Sequence, residues 1–317
     1  MKSSPKPRVP APRSTQEILV PVDFSPASRA VLAQAAALAR TLSAQVTVLH
    51  VDEPPYPGAL NEFPGSIPTN TLVEPKKLAR RLQLFAAKII PAKLAGEVLV
   101  GHGIAGQTIV AVARQRQSRL IVCGTHGYSG FKRLILGSTA EYLVRHSPCP
   151  ILTMRRPSPR QPVKRLRSIL APIDLSAPSR QASTYAAGLA AKLRGPLTLL
   201  HVVPAIDDNA AGERAAARSA AKLEQLAIKL RSNGCRVNSA VAQGETTAAI
   251  LAAAADTDLI VIATHGRSGL GRILLGSTAE AIIRQATCPV LVVRSPQPAK
   301  LGWFNPLFWF PVAPVMP

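Results

Sequence analysis

An α/β fold of two tandem, doubly wound domains, each a five-stranded parallel sheet with helices on both faces, is predicted by three features of the sequence. Short apolar runs alternate with helix-like segments along the chain. Two of those runs break into glycine-bearing loops that restart as helices. The whole pattern then occurs twice. The stretch from Leu120 to Thr139 reads LIVCGTHGYSGFKRLILGST, and LIVIATHGRSGLGRILLGST returns from Leu259 to Thr278. In each, the opening apolar run has the signature of a buried strand. The glycines let backbone N–H groups approach an anion closely. The helix start beyond them aims unpaired N–H groups and a positive dipole end at the same place. These are the parts of a phosphate cradle.

Taken in order, residues 1–14 are a basic, Pro-rich arm with the composition of a disordered segment. The first domain spans 15–155. Glu17 to Val22 is a strand that ends at Asp23. Ser25 caps a helix that has Pro26 at its first position and runs to about Leu42. Gln45 to Val51 is a second strand. Residues 52–70, rich in Pro and Gly, form a long loop of the kind that is more often functional or mobile than neutral. Thr71 to about Ile90 is helical, Glu97 to Gly101 a strand, Ile104 to Arg116 a helix and Leu120 to Cys123 a strand. Gly137 to His146 is the next helix, and Pro150 to Met154 the last strand.

A basic linker over 156–167 precedes the second domain, 168–295. Ile169 to Ile173 is a strand ending at Asp174, and Ser176 caps a helix to about Leu193. Leu197 to Val203 is a strand, Asn209 to Ser232 a helix, Arg236 to Gln243 a strand and Thr246 to Ala255 a helix. The Leu259 strand, a helix from Gly276 and the strand Pro289 to Val293 finish the copy. Asp23/Asp174 and His50/His201 are separated by one constant offset, and Cys149/Cys288 and Gly137/Gly276 by a smaller one. Each unit is too long to be a solenoid repeat. Strand–helix alternation demands right-handed parallel crossovers, with ligands at the carboxyl ends of the strands near the switch in strand order. Asp23, Val51 and Gly124 all fall at strand C-termini, so residues from three strands converge on one sheet edge.

With 317 residues the chain can bury two cores of ordinary size. Its 47% hydrophobic and 4% aromatic content suits an Ala/Leu/Val/Ile interior under helices. The formal charge is +21, much of it in the arm, the linker and the Lys76, Lys77, Arg80, Arg81 segment. No recognisable nucleic-acid motif with interleaved aromatics accompanies the charge, so no specific nucleic-acid partner is predicted. Cys123, Cys149, Cys235 and Cys288 show no metal or redox spacing and read as small buried residues in a reducing compartment. The start is polar, without the apolar core of a secretory signal, and no apolar run reaches the roughly 18–20 residues of a spanning helix. A cytoplasmic location is the expectation.

At these residues the chain resembles the universal stress protein family in its tandem form. That family's nucleotide signature is Gly, two residues, Gly, nine residues, Gly, then Ser or Thr. Gly124, Gly127, Gly137 and Ser138 reproduce it, and the opening Leu19-Val20-Pro21-Val22-Asp23-Phe24-Ser25 and the strand ending His50-Val51 are also similar. The resemblance implies a Rossmann-like fold, of the adenine nucleotide alpha hydrolase-like kind, with an ATP site. Gly124, Gly127, Gly137, Ser138 and Thr139 would hold phosphates, while Pro21, Val22, Asp23 and Val51 would hold adenine and ribose. In the second domain the matching positions are Pro172, Ile173, Asp174, Val202, Ala263, Gly266, Gly276, Ser277 and Thr278. Ala263 departs from the pattern. It weakens binding if the position needs positive φ or close backbone approach, and is harmless if the position is extended strand. Family members often carry Mg²⁺ or Mn²⁺ with the triphosphate, though no protein ligand set for a metal is visible. The family's pairing of final strands implies a pseudo-dimer of the two domains, Pro150–Met154 against Pro289–Val293, and further homo-oligomers are compatible with it.

Bland readings compete at several positions. Asp23 and Asp174 would also serve as acids satisfying the turn before a helix. His126 and His265 read as structural loop residues, since no motif partner orients them for catalysis. His50 and His201 read as packed or bonded to backbone. Arg133 and Arg272 suit either a γ-phosphate or the loop surface. A P-loop NTPase would place Lys directly before the Ser or Thr at the helix start, and neither Gly137-Ser138 nor Gly276-Ser277 has it. The expectation is an ATP-binding stress or regulatory module, not an enzyme, with slow hydrolysis at most. The alternatives are a protein-interaction scaffold of the same fold and a weak ATPase. Residues 296–317 form an apolar aromatic tail that suits a membrane interface or a protein contact through 301–317.

Overall fold

Two successive runs of strands and helices build one continuous sheet in the computed structural model, which describes residues 16–53, 75–125, 136–155, 166–205, 209–231, 234–264, 275–294 and 309–311. The first repeat comprises β1 (Gln16–Pro21), α1 (Pro26–Leu42), β2 (Ala44–Asp52), α2 (Pro75–Ala87), a 3₁₀ turn (Ala92–Leu94), β3 (Ala95–His102), α3 (Ala105–Arg116), β4 (Leu120–Gly124), α4 (Ser138–His146) and β5 (Ile151–Met154). The second comprises β6 (Ile169–Pro172), α5 (Ala177–Leu193), β7 (Pro196–Val203), α6 (Asn209–Arg231), β8 (Arg236–Gln243), α7 (Thr246–Ala253), β9 (Leu259–Ala263), α8 (Ser277–Gln285) and β10 (Val290–Val293). A short strand, β11 (Trp309–Pro311), follows. The arm, most of the 52–70 loop and residues 156–165 of the linker lie outside the described residues.

Local chemistry explains the helix starts. The Ser25 hydroxyl accepts from the Ser28 N–H, and Pro26 supplies a first-turn φ that is already helical. Ser176 does the same for α5 by accepting from the Ser179 N–H. Strand residues alternate between faces as a period of two requires. Ile18, Val20 and Val122 point to the layer formed by α1 and α2, with Leu32 and Leu82. Leu19, Ile121 and Cys123 point to the layer formed by α3 and α4, with Ile109 and Leu143. The second repeat copies both layers.

The strand order is β11-β3-β2-β1-β4-β5-β10-β9-β6-β7-β8. Each repeat is parallel within itself, and the switch in direction of travel falls between β1 and β4, and between β6 and β9. The repeats join where β5 and β10 pair antiparallel, with Val290 opposite Thr153 and Leu291 opposite Leu152. The Thr153 hydroxyl also donates to Val290 O across this seam, at 3.1 Å. The predicted pairing of final strands is therefore present, and it fuses the two sheets into one.

The tail differs from expectation at one point. Trp309–Pro311 adds an antiparallel strand to the free edge of β3, Trp309 opposite Gly101. An edge strand presents unpaired N–H and C=O groups that an added segment satisfies. Proline is tolerated there because it can turn its donor-less side outward. The rest of 301–317 lies outside the described residues. Among those residues no helix is long and apolar enough to cross a membrane.

One glycine is demanded by packing on the α3–α4 face. A Cβ at Gly106 would lie 2.8 Å from the Tyr142 ring. Gly106→Ala gains helix propensity worth about 1 kcal/mol, but overpacking of this kind costs about 1–3 kcal/mol. A net loss of stability is expected in urea unfolding followed by circular dichroism. An unchanged midpoint would mean that Tyr142 swings away freely.

Candidate functional site

The carboxyl ends of β1, β2 and β4 flank the switch in strand order, and most of the predicted positions gather there. Pro21 closes β1 and Val22 follows it, its N–H donating to Leu49 O at 2.8 Å. Val51 is the penultimate residue of β2, opposite Gly101. Gly124 is the last residue of β4, opposite Met154. Gly137 is the N-cap of α4, with Ser138 and Thr139 as its first helical residues. The second repeat places Pro172, Ile173 and Asp174 after β6, Val202 in β7, Ala263 at the end of β9, and Gly276, Ser277 and Thr278 at the start of α8 in the same way. Gly127 and Gly266, with His126, His265, Arg133 and Arg272, lie outside the described residues.

Asp23 is half-buried and tightly held. Its Oδ1 accepts from the Ser25 N–H at 3.0 Å and from the Ser28 hydroxyl at 2.6 Å, while its own N–H donates to Ser28 Oγ at 3.1 Å. The turn-satisfying role is thus real, and among the described residues it occupies only one of the two carboxylate oxygens. Burial alone would push the Asp23 carboxyl up, but the bonds from Ser25 and Ser28 outweigh it and hold it below its ordinary value. A depressed folded-state pKa stabilises the protein above the unfolded value and is lost as pH falls through the folded one. The stability gap between wild type and Asp23→Ala should therefore be full near pH 6 and shrink below about pH 4. Acid titrations of both proteins check this, and a pH-independent gap would show that the bonds do not favour the ionised form.

Directly after Asp23, Phe24 adopts a left-handed φ of 61°, and Leu175 repeats it at 64°. A non-glycine residue there is unusual and signals a turn imposed by its surroundings. His50 helps to impose it. Its Nδ1 lies 2.8 Å from Val22 O, and because a carbonyl only accepts, Nδ1 carries the proton. His201 makes the same contact with Ile173 O. Both histidines are thus bonded to backbone and pin the exit of the first strand of their repeat.

Neither Gly137 nor Gly276 offers a side-chain cap, so among the described residues the N-cap leaves the first-turn N–H groups of α4 and α8 uncapped. Sequence reasoning missed what fixes these starts. The Thr125 N–H donates to Met154 O at 3.0 Å, and its C=O accepts from the Gly137 N–H at 2.8 Å. Thr264 accepts from the Gly276 N–H in the same way at 3.0 Å. Both threonines are buried. The Thr that follows Gly124 and Ala263 in both copies was the available signal.

The alternative left open at Ala263 is resolved in favour of strand. Ala263 pairs with Val293 as Gly124 pairs with Met154, and neither has positive φ. Gly276 is equally unstrained, with φ −63° and ψ 142°, and among the described residues an added Cβ would meet only Thr264 O, at 3.5 Å. Its backbone conformation does not demand glycine.

The comparisons with known proteins bear on the family and the fold. The model of the universal stress protein family matches residues 14–155 and again 165–294. This chain belongs to that family. A universal stress protein of Mycolicibacterium smegmatis is 28% identical over 291 residues, covering 87% of this chain and 96% of its own length. One from Mycobacterium tuberculosis is 26% identical over 291 residues, covering 89% of this chain and 97% of its own. The crystal structure of a universal stress protein from Archaeoglobus fulgidus superposes with a TM-score of 0.67 at 21% identity, covering 89% of this chain and 99% of its own, a likeness of fold. Universal stress protein domains thus account for both repeats.

Proposed function

We propose that each repeat holds one adenine nucleotide, ATP foremost, at the carboxyl edge of its strands, and that the chain is a cytoplasmic, nucleotide-responsive stress or regulatory module. The observation that carries this reading is the start of α4 and α8, which its N-cap glycine leaves without a side-chain cap. Its N–H groups and dipole suit phosphate. Asp23, ionised and oriented with one oxygen to spare, suits ribose hydroxyls. The Val51 backbone at the end of β2 suits an adenine edge. Four buried cysteines that form no disulfide favour a reducing compartment.

Little in the site favours hydrolysis. No Lys precedes Ser138 or Ser277, and the histidines at the strand ends spend Nδ1 on backbone carbonyls. Among the described residues no cluster of His, Cys, Asp and Glu would hold a metal ion by itself. Mg²⁺ or Mn²⁺ would come with the phosphates, supplying charge neutralisation, and the site residues assigned here act without it. Calorimetric titration with ATP tests the proposal. Binding of two nucleotides per chain is expected, with phosphate release slow or absent. No heat, and no nucleotide retained by the purified protein, would leave the fold as an interaction scaffold.

A further inference from the structure

Beside the nucleotide edge, on the face formed by α1 and α2, a second kind of site is built. α2 sends Leu78, Ala79, Leu82 and Ala86 into the core. The rest of the helix carries Lys76, Lys77, Arg80 and Arg81 and contains no acidic residue. Where it runs past the start of α1, five cations and three apolar side chains line an open cleft of about 530 Å³. The cations are Arg29, Lys77, Arg80, Arg81 and Lys88; the apolar groups are Phe24, Leu84 and Phe85.

The floor of this cleft is a set of packed rings. Phe24 and Phe85 meet edge to face with ring centroids 5.5 Å apart, and Phe24 rests on His50 at 4.7 Å. The Arg81 guanidinium lies 4.3 Å from the Phe24 centroid, and that of Arg29 lies 5.4 Å from Phe85. Rings that hold guanidinium groups in place spare them some of the entropy lost on ligand binding. Among the described residues no carboxylate forms a salt bridge with Arg29, Arg80, Arg81 or Lys88.

We propose that this cleft binds single-stranded nucleic acid, by backbone charge and base stacking and without sequence preference. From Lys77 to the end of α2 at Ala87, next to Lys88, the helix rises about 15 Å at 1.5 Å per residue, enough to follow several backbone phosphates. Between them the ring-backed guanidinium planes and Leu84, 57% exposed, offer flat and apolar surface on which bases stack. Inorganic polyphosphate has no use for that surface. An anionic bilayer is flat, and the cations here line a concavity. Sequence alone gave no aromatic interleaving because Phe24 and Phe85 come together only through the fold.

The second repeat is an internal control. Leu82/Leu223 and Ala86/Ala227, buried in both copies, set the register of α2 against α6. Leu175 and Leu226 then stand where Phe24 and Phe85 do, packed against the same core. Ala221 stands in the place of Arg80, and the helix gains Glu224, which pairs with Arg231. The charge is diluted and the aromatic floor is gone.

Fluorescence anisotropy with the full chain and a labelled oligouridylate of about ten nucleotides tests the proposal. Arg80→Glu/Arg81→Glu should raise Kd at least about tenfold and reduce the salt slope by roughly 1.4, at about 0.7 per single-strand phosphate contact. All these side chains are exposed, so folding is spared, and an unchanged melting curve verifies it. Phe24→Leu/Phe85→Leu, which imports the second repeat's chemistry, should also weaken binding several-fold, and Lys222→Glu/Lys229→Glu should stay within about twofold. Equal losses from reversals in the two repeats would reduce the effect to net charge and overturn the site. So would an oligonucleotide that fails to bind while polyphosphate or phosphatidylserine vesicles bind through Arg80 and Arg81.

Discussion

Replacing Arg116 with Met is expected to remove about 3–5 kcal/mol from the stability of the first repeat. Arg116 ends α3 at the amino edge of the sheet, where its Nε and NH2 donate to both oxygens of Glu17, the shortest contact being 2.7 Å. Its NH1 reaches Glu97 Oε2 at 3.1 Å. Ser118 and Thr47 hydroxyls complete the shell of Glu17, at 2.8 and 2.9 Å. Arg116 and Glu17 are only 14% and 15% exposed. Burial alone would make the guanidinium a weaker base, and its bonds to Glu17, then Glu97, more than reverse this. Removing it strands a buried carboxylate, which costs far more than the net worth of an ion pair. Adding Glu17→Gln to Arg116→Met should recover much of the loss, since a neutral amide needs no countercharge. Urea unfolding followed by circular dichroism measures both. A loss below about 1 kcal/mol would mean that water screens the pair as it screens surface pairs.

The second repeat solves the same edge differently. There Asp258 at the start of β9 accepts from the Arg167 and Ser168 N–H groups and the Ser168 hydroxyl, all to Oδ2 at 3.0–3.1 Å. Duplication preserved the strands but not the polar bonds that pin them. This edge stabilises; the opposite, carboxyl edge carries the helix starts with glycine N-caps. Physical separation of the two lets polar residues at one change without disturbing the other.

What the sequence made legible follows from what is local. Ser25-Pro26 and Ser176 place the starts of α1 and α5 because capping is decided within four residues. The apolar runs at Leu120 and Leu259 place β4 and β9 because both faces of a parallel strand are buried. Asp23, Val51, Gly124 and Gly137 converge as expected because topology alone brings strand ends to one edge. The Glu17–Arg116 pair was invisible, its members being far apart in sequence and joined only by packing of α3 against the sheet. The left-handed turn at Phe24 was equally hidden, since nothing about Phe announces positive φ; the surrounding bonds of Asp23 and His50 impose it. β11 was missed because three residues in a Pro-rich tail carry no periodicity, and its strand character comes from the edge that it joins.

Gly137→Val is expected to abolish one of the two proposed ATP sites and leave the other intact. The position needs no glycine for its backbone, with φ −61° and ψ 146°, which valine adopts. The substitution therefore imposes no backbone strain at the helix start. A branched side chain at the N-cap stands between the first-turn N–H groups and the phosphates. Hydrogen bonds to charged groups are worth about 1.5–3 kcal/mol each, so losing two of them weakens binding by roughly 10²–10⁴-fold. Calorimetry should then count one nucleotide per chain in place of two, with unchanged thermal stability when no nucleotide is added. Gly276→Val should remove the other site, and the double variant both. Ala263→Gly separates the remaining question, whether the departure from the family signature matters. Because Ala263 is an extended strand residue paired with Val293, restoring glycine should change affinity at the second site by less than about threefold, under 1 kcal/mol. A large gain would mean that the methyl group itself crowds the nucleotide. A Gly137→Val protein that still binds two nucleotides would move the phosphates away from the start of α4.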